Sequence, residues 1–151
     1  MNYYRAIHKS YYKGCGILKP YPIPHEKDKN GKLVYNIYDN EPFFVISHEP
    51  ILSFSKTIEG AVTGAITGER GFNHGTFYIC KTNLKPDVDL SNRHIGDFAD
   101  IKEVRYKRPV KTTVAGKVYI SPDLSEEVSK LYNKSYFPHA VKLVKKEMKK
   151  C

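Results

Sequence analysis

With 151 residues the chain has room for one domain with a core of its own and not for two substantial ones. Its hydrophobic share of 40% and aromatic share of 13% exclude a disordered chain. The formal charge of +9 suggests a polyanion partner until it is located: between Lys142 and Lys150 five lysines stand against Glu147, so nearly half the excess is one terminal run of the kind that solvates a helix face.

The first element in chain order is a tyrosine-rich strand at Asn2–Ile7, after which Gly14, Gly16, Pro20, Pro22 and Pro24 interrupt regular structure. Residues 25–32 read as a polar loop and Phe43–Ile46 as a second apolar run. Ile51, Leu52 and Phe54 suit a buried strand, whereas Ile58, Ala61, Val62, Ala65 and Ile66 recur with helical period. Ser53 and Ser55 sit at that junction, with Ser55 expected to cap the helix and Lys56 to open it. Gly60, Gly64 and Gly68 lie four apart inside the helix, where each costs about 1 kcal/mol against alanine, so a close neighbour is expected there.

Thr76–Thr82 has strand composition, and Val88 and Leu90 alternate with Asp87, Asp89 and Ser91. Ile101, Glu103 and Arg105 are expected on one face of a strand, with Val104 and Tyr106 on the other. Lys117–Ile120 is a last strand. Asp123 with Glu126 resembles a capping box opening a helix that carries Val128, Leu131 and Tyr132, and a second helical run carries Val141, Val144 and Met148. Strands outnumber helices without regular βαβ alternation and without internal repeats, so the fold class is α+β.

Cys15, Cys80 and Cys151 are odd in number, widely spaced and without a CxxC pair, so neither a disulfide framework nor a zinc site is expected. MNYYRAIHKS has no apolar core of a leader, and no run approaches the roughly eighteen apolar residues of a membrane span. The expectation is a soluble protein in a reducing, cytoplasmic setting, the host-cell cytoplasm if the chain is delivered there.

Three pieces carry chemistry in order: Tyr4-Arg5-Ala6, Ser53-Phe54-Ser55 and Asp100–Val104. Together with Tyr35–Phe43, His74–Ser91 and Lys117–Ser121 they resemble, across residues 3 to 121, the ADP-ribosyltransferases of the cholera toxin, heat-labile enterotoxin and pertussis toxin type. The resemblance implies a split β-sandwich with few short helices over residues 1–122, a basic helical extension at 123–151 packed on or trailing from it, and NAD as co-substrate without a metal. It implies a mono-ADP-ribosyltransferase acting on a macromolecule, protein or nucleic acid. On the family pattern Glu103 and Ser53 are the catalytic pair, and Arg5, Ser53, Ser55, Tyr4 and Ala6 line the NAD site.

Physical chemistry assigns compatible roles. An arginine offers a planar fork matching phosphate oxygens, which suits Arg5 to the NAD pyrophosphate. Breaking the nicotinamide–ribose bond passes through an oxocarbenium-like state that a fixed carboxylate, Glu103, stabilises. Ser53 is expected to hydrogen-bond that carboxylate while Ser55 caps the helix and helps fix the nicotinamide pocket. Three positions depart from the family pattern: Ile101 stands at the first E/Q of E-x-E, Phe54 at the central threonine of S-T-S, and Asn40 where a supporting histidine is usual. Ile101 cannot orient an acceptor or take its proton, which leaves the acceptor open.

Two other readings use different residues. His8 with Ser10 and His74 with Thr76 form two H-x-[ST] pairs, the pattern of 2H phosphoesterases, in which paired histidines act as acid and base. Alternatively, Arg105, Lys107, Arg108 and Lys111, interleaved with Tyr106 and joined by the lysine tail, would bind nucleic acid without catalysis.

Overall fold

The computed structural model describes residues 1–20, 26–27, 33–34, 51–68, 73–93 and 97–148. Asn40, Phe43–Ile46 and the last three residues lie outside them. The strands are β1 (Tyr3–His8), β2 (Ile17–Leu18), β3 (Glu26–Lys27), β4 (Leu33–Val34), β5 (Leu52–Ser55), β6 (Gly75–Thr82), β7 (Val88–Asp89), β8 (Glu103–Tyr106), β9 (Val110–Lys111) and β10 (Thr113–Ile120). The helices are α1 (Ile58–Thr67), α2 (Phe98–Ile101), α3 (Pro122–Asn133) and α4 (Phe137–Met148). The class is α+β, built on an antiparallel six-stranded sheet in the order β10-β6-β1-β5-β8-β7, with β2–β9 and β3–β4 as two-stranded ribbons. β3 falls within the stretch read as a loop.

Alternation along the strands gives the sheet two apolar faces. On one, Phe77, Ile79 and Ile120 pack with Val62 and Ile66 of α1, Val128 of α3, and Ala140 and Val144 of α4. On the other, Leu52, Phe54, Val104 and Tyr106 pack with Val110 of β9, beside Tyr3 and Leu18. Residues 122–148 are therefore packed on the domain, since Val128, Ala140 and Val144 are fully buried in the same core as β6.

Several local expectations are corrected. α1 is capped by Thr57, whose hydroxyl accepts from Gly60 N–H at 3.0 Å, so the helix opens at Ile58 and Ser55 is not its cap. α3 is capped by Ser121, which accepts from Leu124 N–H at 3.1 Å, with Pro122 at the first helical position. Ile101 ends α2 and is not on the strand; Lys102, with φ 54°, turns the chain into β8. The close neighbour expected along the glycines exists at Gly60, where a Cβ would stand 2.2 Å from the Ile101 carbonyl oxygen, but not at Gly64.

The cysteine expectation is overturned. Cys15 and Cys80 are joined by a disulfide, with Cα atoms 5.7 Å apart across a separation of 65 residues. Such bridges persist in oxidising surroundings, so cysteine usage no longer supports a reducing compartment. Among the described residues, no helix is long and apolar enough to cross a membrane.

Candidate functional site

β1, β5 and β8 are neighbours in the sheet, which brings together residues 5, 53, 55 and 103 from three distant parts of the chain. The β5–β8 ladder pairs Ser55 with Glu103 and Ser53 with Arg105, so these four side chains emerge on one face, the face that carries α1. There Ser53 Oγ donates to Glu103 Oε2 at 3.4 Å, and Arg105 Nε stands 2.5 Å from the same oxygen. The serine–carboxylate contact expected from the sequence is thus present. The arginine that joins it, expected on the same strand face or at a nucleic-acid contact, also has its guanidinium 5.5 Å from the centroid of the Phe98 ring.

Arg5 reaches this group by another route. β1 and β5 pair in register only at Tyr4 and Ser55, and alternation places the Arg5 side chain on the face opposite to Tyr4. Its guanidinium Nη1 then donates to the Ser53 main-chain carbonyl at 2.7 Å. Arg5 therefore fixes the backbone of the residue whose hydroxyl orients Glu103. Tyr4 and Ala6, expected beside NAD, are partly buried against the helix-side core, with Tyr4 in register with Ser55.

Ser55 is buried and doubly engaged. Its hydroxyl donates to the Ile101 carbonyl at 2.5 Å and accepts from Thr57 N–H at 3.1 Å, tying the end of β5 to α2. Only a glycine at position 60 leaves room for this clip, because a Cβ there would lie 2.4 Å from Ser55 Oγ.

Asp97, which sequence reasoning missed, completes the cluster. It precedes α2, receives a hydrogen bond from the Tyr132 hydroxyl of α3, and titrates at about 6, raised by burial and then by the nearby Glu103 charge, with Arg105 pulling the other way. No motif announces it, because its position depends on where α3 docks. Among the described residues, no group of three or more His, Cys, Asp or Glu is arranged to hold a metal.

The alternative sites fare differently. His8 and His74 lie at adjoining strand ends, but the contact is His8 Nε2 with the His74 main-chain carbonyl at 2.8 Å, while His8 Nδ1 accepts from Ser10 N–H at 3.1 Å. A carbonyl only accepts, so Nε2 donates in this contact and the ring is held at both nitrogens. The basic strip is interrupted: Tyr106 is fully buried with its hydroxyl on the Leu84 carbonyl, Arg105 is committed to Glu103, and Arg108 lies 3.7 Å from Asp87. Tyr106 therefore cannot stack on a base.

A cavity of about 410 Å3 lies at the other end of β1, lined by Asn2, Lys81, Thr82, Asn83, Lys111 and Thr113, and shares no residue with the Glu103 cluster. Compared with known proteins, the chain matches no protein-family model, no curated protein and no solved structure.

Proposed function

We propose that this chain is a mono-ADP-ribosyltransferase of the split β-sandwich type, cleaving NAD at the nicotinamide–ribose bond and passing ADP-ribose to a protein or nucleic-acid acceptor. One observation carries the reading: Ser53 on β5 hydrogen-bonds the Glu103 carboxylate on the adjoining β8 while Arg5 on β1 holds the Ser53 carbonyl. Three short motifs that are each commonplace thereby support one another on neighbouring strands.

In the proposed reaction the ribose–nitrogen bond breaks, nicotinamide leaves with the bonding pair, and the acceptor bonds to the anomeric carbon as it gives up a proton. Glu103 supplies negative charge beside the cation that develops. Ser53 and Arg105 fix where that charge points, and Arg5 keeps the Ser53 main chain in place from the opposite face of the sheet. Ser55 anchors the strand end behind them. The apolar Ile101 takes no part in acceptor chemistry. The Cys15–Cys80 bridge favours a protein that spends part of its life outside a reducing cytoplasm.

The test is to incubate the protein with NAD labelled in the adenosine moiety, with and without cell lysate, and to follow free nicotinamide and label in protein and nucleic acid separately. Nicotinamide release that rises with lysate, with label in one fraction, is the expected result. NAD left intact under all conditions would overturn the reading.

A further inference from the structure

The charge that the terminal lysines do not explain is concentrated on one half of the sheet. Residues 1–20, 73–86 and 109–121 contain eight lysines and arginines and not one of the 16 acidic residues. These stretches build β1, β6 and β10 with the segment that follows β1, the three strands at one end of the sheet order. In the other half the cations of β8 and its flanks face carboxylates, as in the contacts of Arg105 with Glu103 and Arg108 with Asp87.

The cationic half also exposes aromatic rings in alternation with charge. β10 is an edge strand, and Lys117 and Tyr119 share one of its faces, two residues apart. Tyr119 is 62% exposed, and Lys117 pairs in register with Tyr78, on which Tyr12 stacks at 4.0 Å between ring centroids. Lys9, Tyr11 and Lys13 are exposed on the segment that carries Tyr12. At the start of β10 the 410 Å3 cavity adds Lys111, with Lys81 reaching it from the helix-side face, beside Leu84 and four polar residues and without a carboxylate. From Thr113 to Tyr119 the strand runs about 20 Å.

We propose that this half-sheet, from Tyr119 and Lys117 across Tyr12 and Tyr78 to Lys111 at the start of β10, is a docking surface for single-stranded nucleic acid. Such ligands need cations at intervals for the phosphates and ring faces between them for the bases, and both occur here along a strand that is an edge of the sheet among the described residues. An acidic peptide would use the lysines and leave the tyrosines idle. The inference concerns binding alone and stands or falls independently of NAD chemistry.

The test is fluorescence anisotropy of a labelled 12-nucleotide single strand, titrated with the full chain over a salt series and without NAD. Wild type is expected to bind with log K falling linearly in log salt, and Lys13→Glu/Lys117→Glu to bind at least tenfold more weakly with a slope shallower by about 1.4, near 0.7 for each lysine removed. Tyr119→Ala should weaken the oligonucleotide about fivefold or more while leaving inorganic polyphosphate unaffected. Lys145→Glu/Lys146→Glu, on α4, should match wild type. The proposal is overturned by no binding at 50 mM salt, by loss in the α4 variant alone, by an equal Tyr119 effect on polyphosphate, or by capture on phosphatidylserine vesicles in place of the oligonucleotide.

Discussion

Arg105 grips Glu103 from two residues further along β8, with Nε 2.5 Å from Oε2 on the face the two residues share. The carboxylate is thereby held by its own strand as well as by Ser53 from the next one. Because Arg105 also lies over Phe98, the orientation of Glu103 is linked to the docking of α2. A carboxylate pinned from two directions loses little further freedom when a developing cation arrives, which is what preorganised electrostatic stabilisation requires.

Replacing Glu103 by Gln keeps the shape and a hydrogen-bond acceptor but removes the charge. Nicotinamide release should fall about 10²- to 10³-fold, while NAD affinity by calorimetry stays within about threefold. Release at the wild-type rate from a folded variant would remove Glu103 from catalysis.

Gly60 and Gly64 should respond to alanine with opposite signs. At Gly60 the new Cβ meets the Ile101 carbonyl at 2.2 Å and Ser55 Oγ at 2.4 Å, and a main-chain atom cannot step aside, so Gly60→Ala should lower stability by about 2–3 kcal/mol. At Gly64 the nearest atom is Ile101 Cδ1 at 3.8 Å, and alanine should raise stability by about 0.5–1 kcal/mol through helix propensity. Urea denaturation of both variants decides it; equal shifts would refute the contact.

The raised pKa of Asp97 makes stability fall as pH rises. The native carboxyl keeps its proton to about 6, against an ordinary value of 3.8, so between these values the folded state binds more protons than the unfolded one. That contribution is complete below about 4 and is lost as pH passes 6, with a span of about 3 kcal/mol. Asp97→Asn should flatten this part of the stability–pH curve and be the more stable form at pH 7. Parallel wild-type and variant slopes from pH 4 to 7 would contradict the assignment.

The bridge between Cys15 and Cys80 predicts a thiol count. Native protein should present one reactive thiol per chain to a thiol reagent in denaturant, and three after reduction. Cys15→Ser should cost about 4 kcal/mol, the chain-entropy value for a closed loop of this length. Three thiols before reduction would show that the bridge does not form.

Most elements along residues 51–148 were legible because each depends on local pattern. The shift from the buried run of Leu52 and Phe54 to the helical spacing of Val62 and Ile66 marks β5 and α1, and Val144 with Met148 marks α4. Boundaries were less legible where a side chain chooses between neighbours: Thr57 and Ser121 are capping residues as ordinary as Ser55 and Asp123, and only the folded geometry selects them. Ile101 looked like strand because alternation with Glu103 continues through it, while the left-handed turn at Lys102 separates the two.

At the site, the Ser53–Glu103 contact follows from placing two motifs on adjacent strands. The rest depends on tertiary docking. Asp97 acquires its environment from Tyr132, 35 residues away, and Cys80 meets Cys15 because β6 pairs antiparallel with β1. Arg5 was expected to serve phosphate alone, and its use of a main-chain carbonyl depends on where β1 and β5 stop pairing.

The disulfide also changes what a protease can accomplish. It closes the chain between residues 15 and 80 into a covalent ring. A single cut anywhere from 16 to 79 opens the ring without releasing a fragment, since the piece bearing Arg5 stays tethered to the piece bearing Glu103. On a gel the nicked protein migrates as one species until reductant is added. For a cut between residues 16 and 52, covalent separation of Arg5 from the Ser53–Glu103 pair therefore requires two chemically different events, a hydrolysis and a reduction.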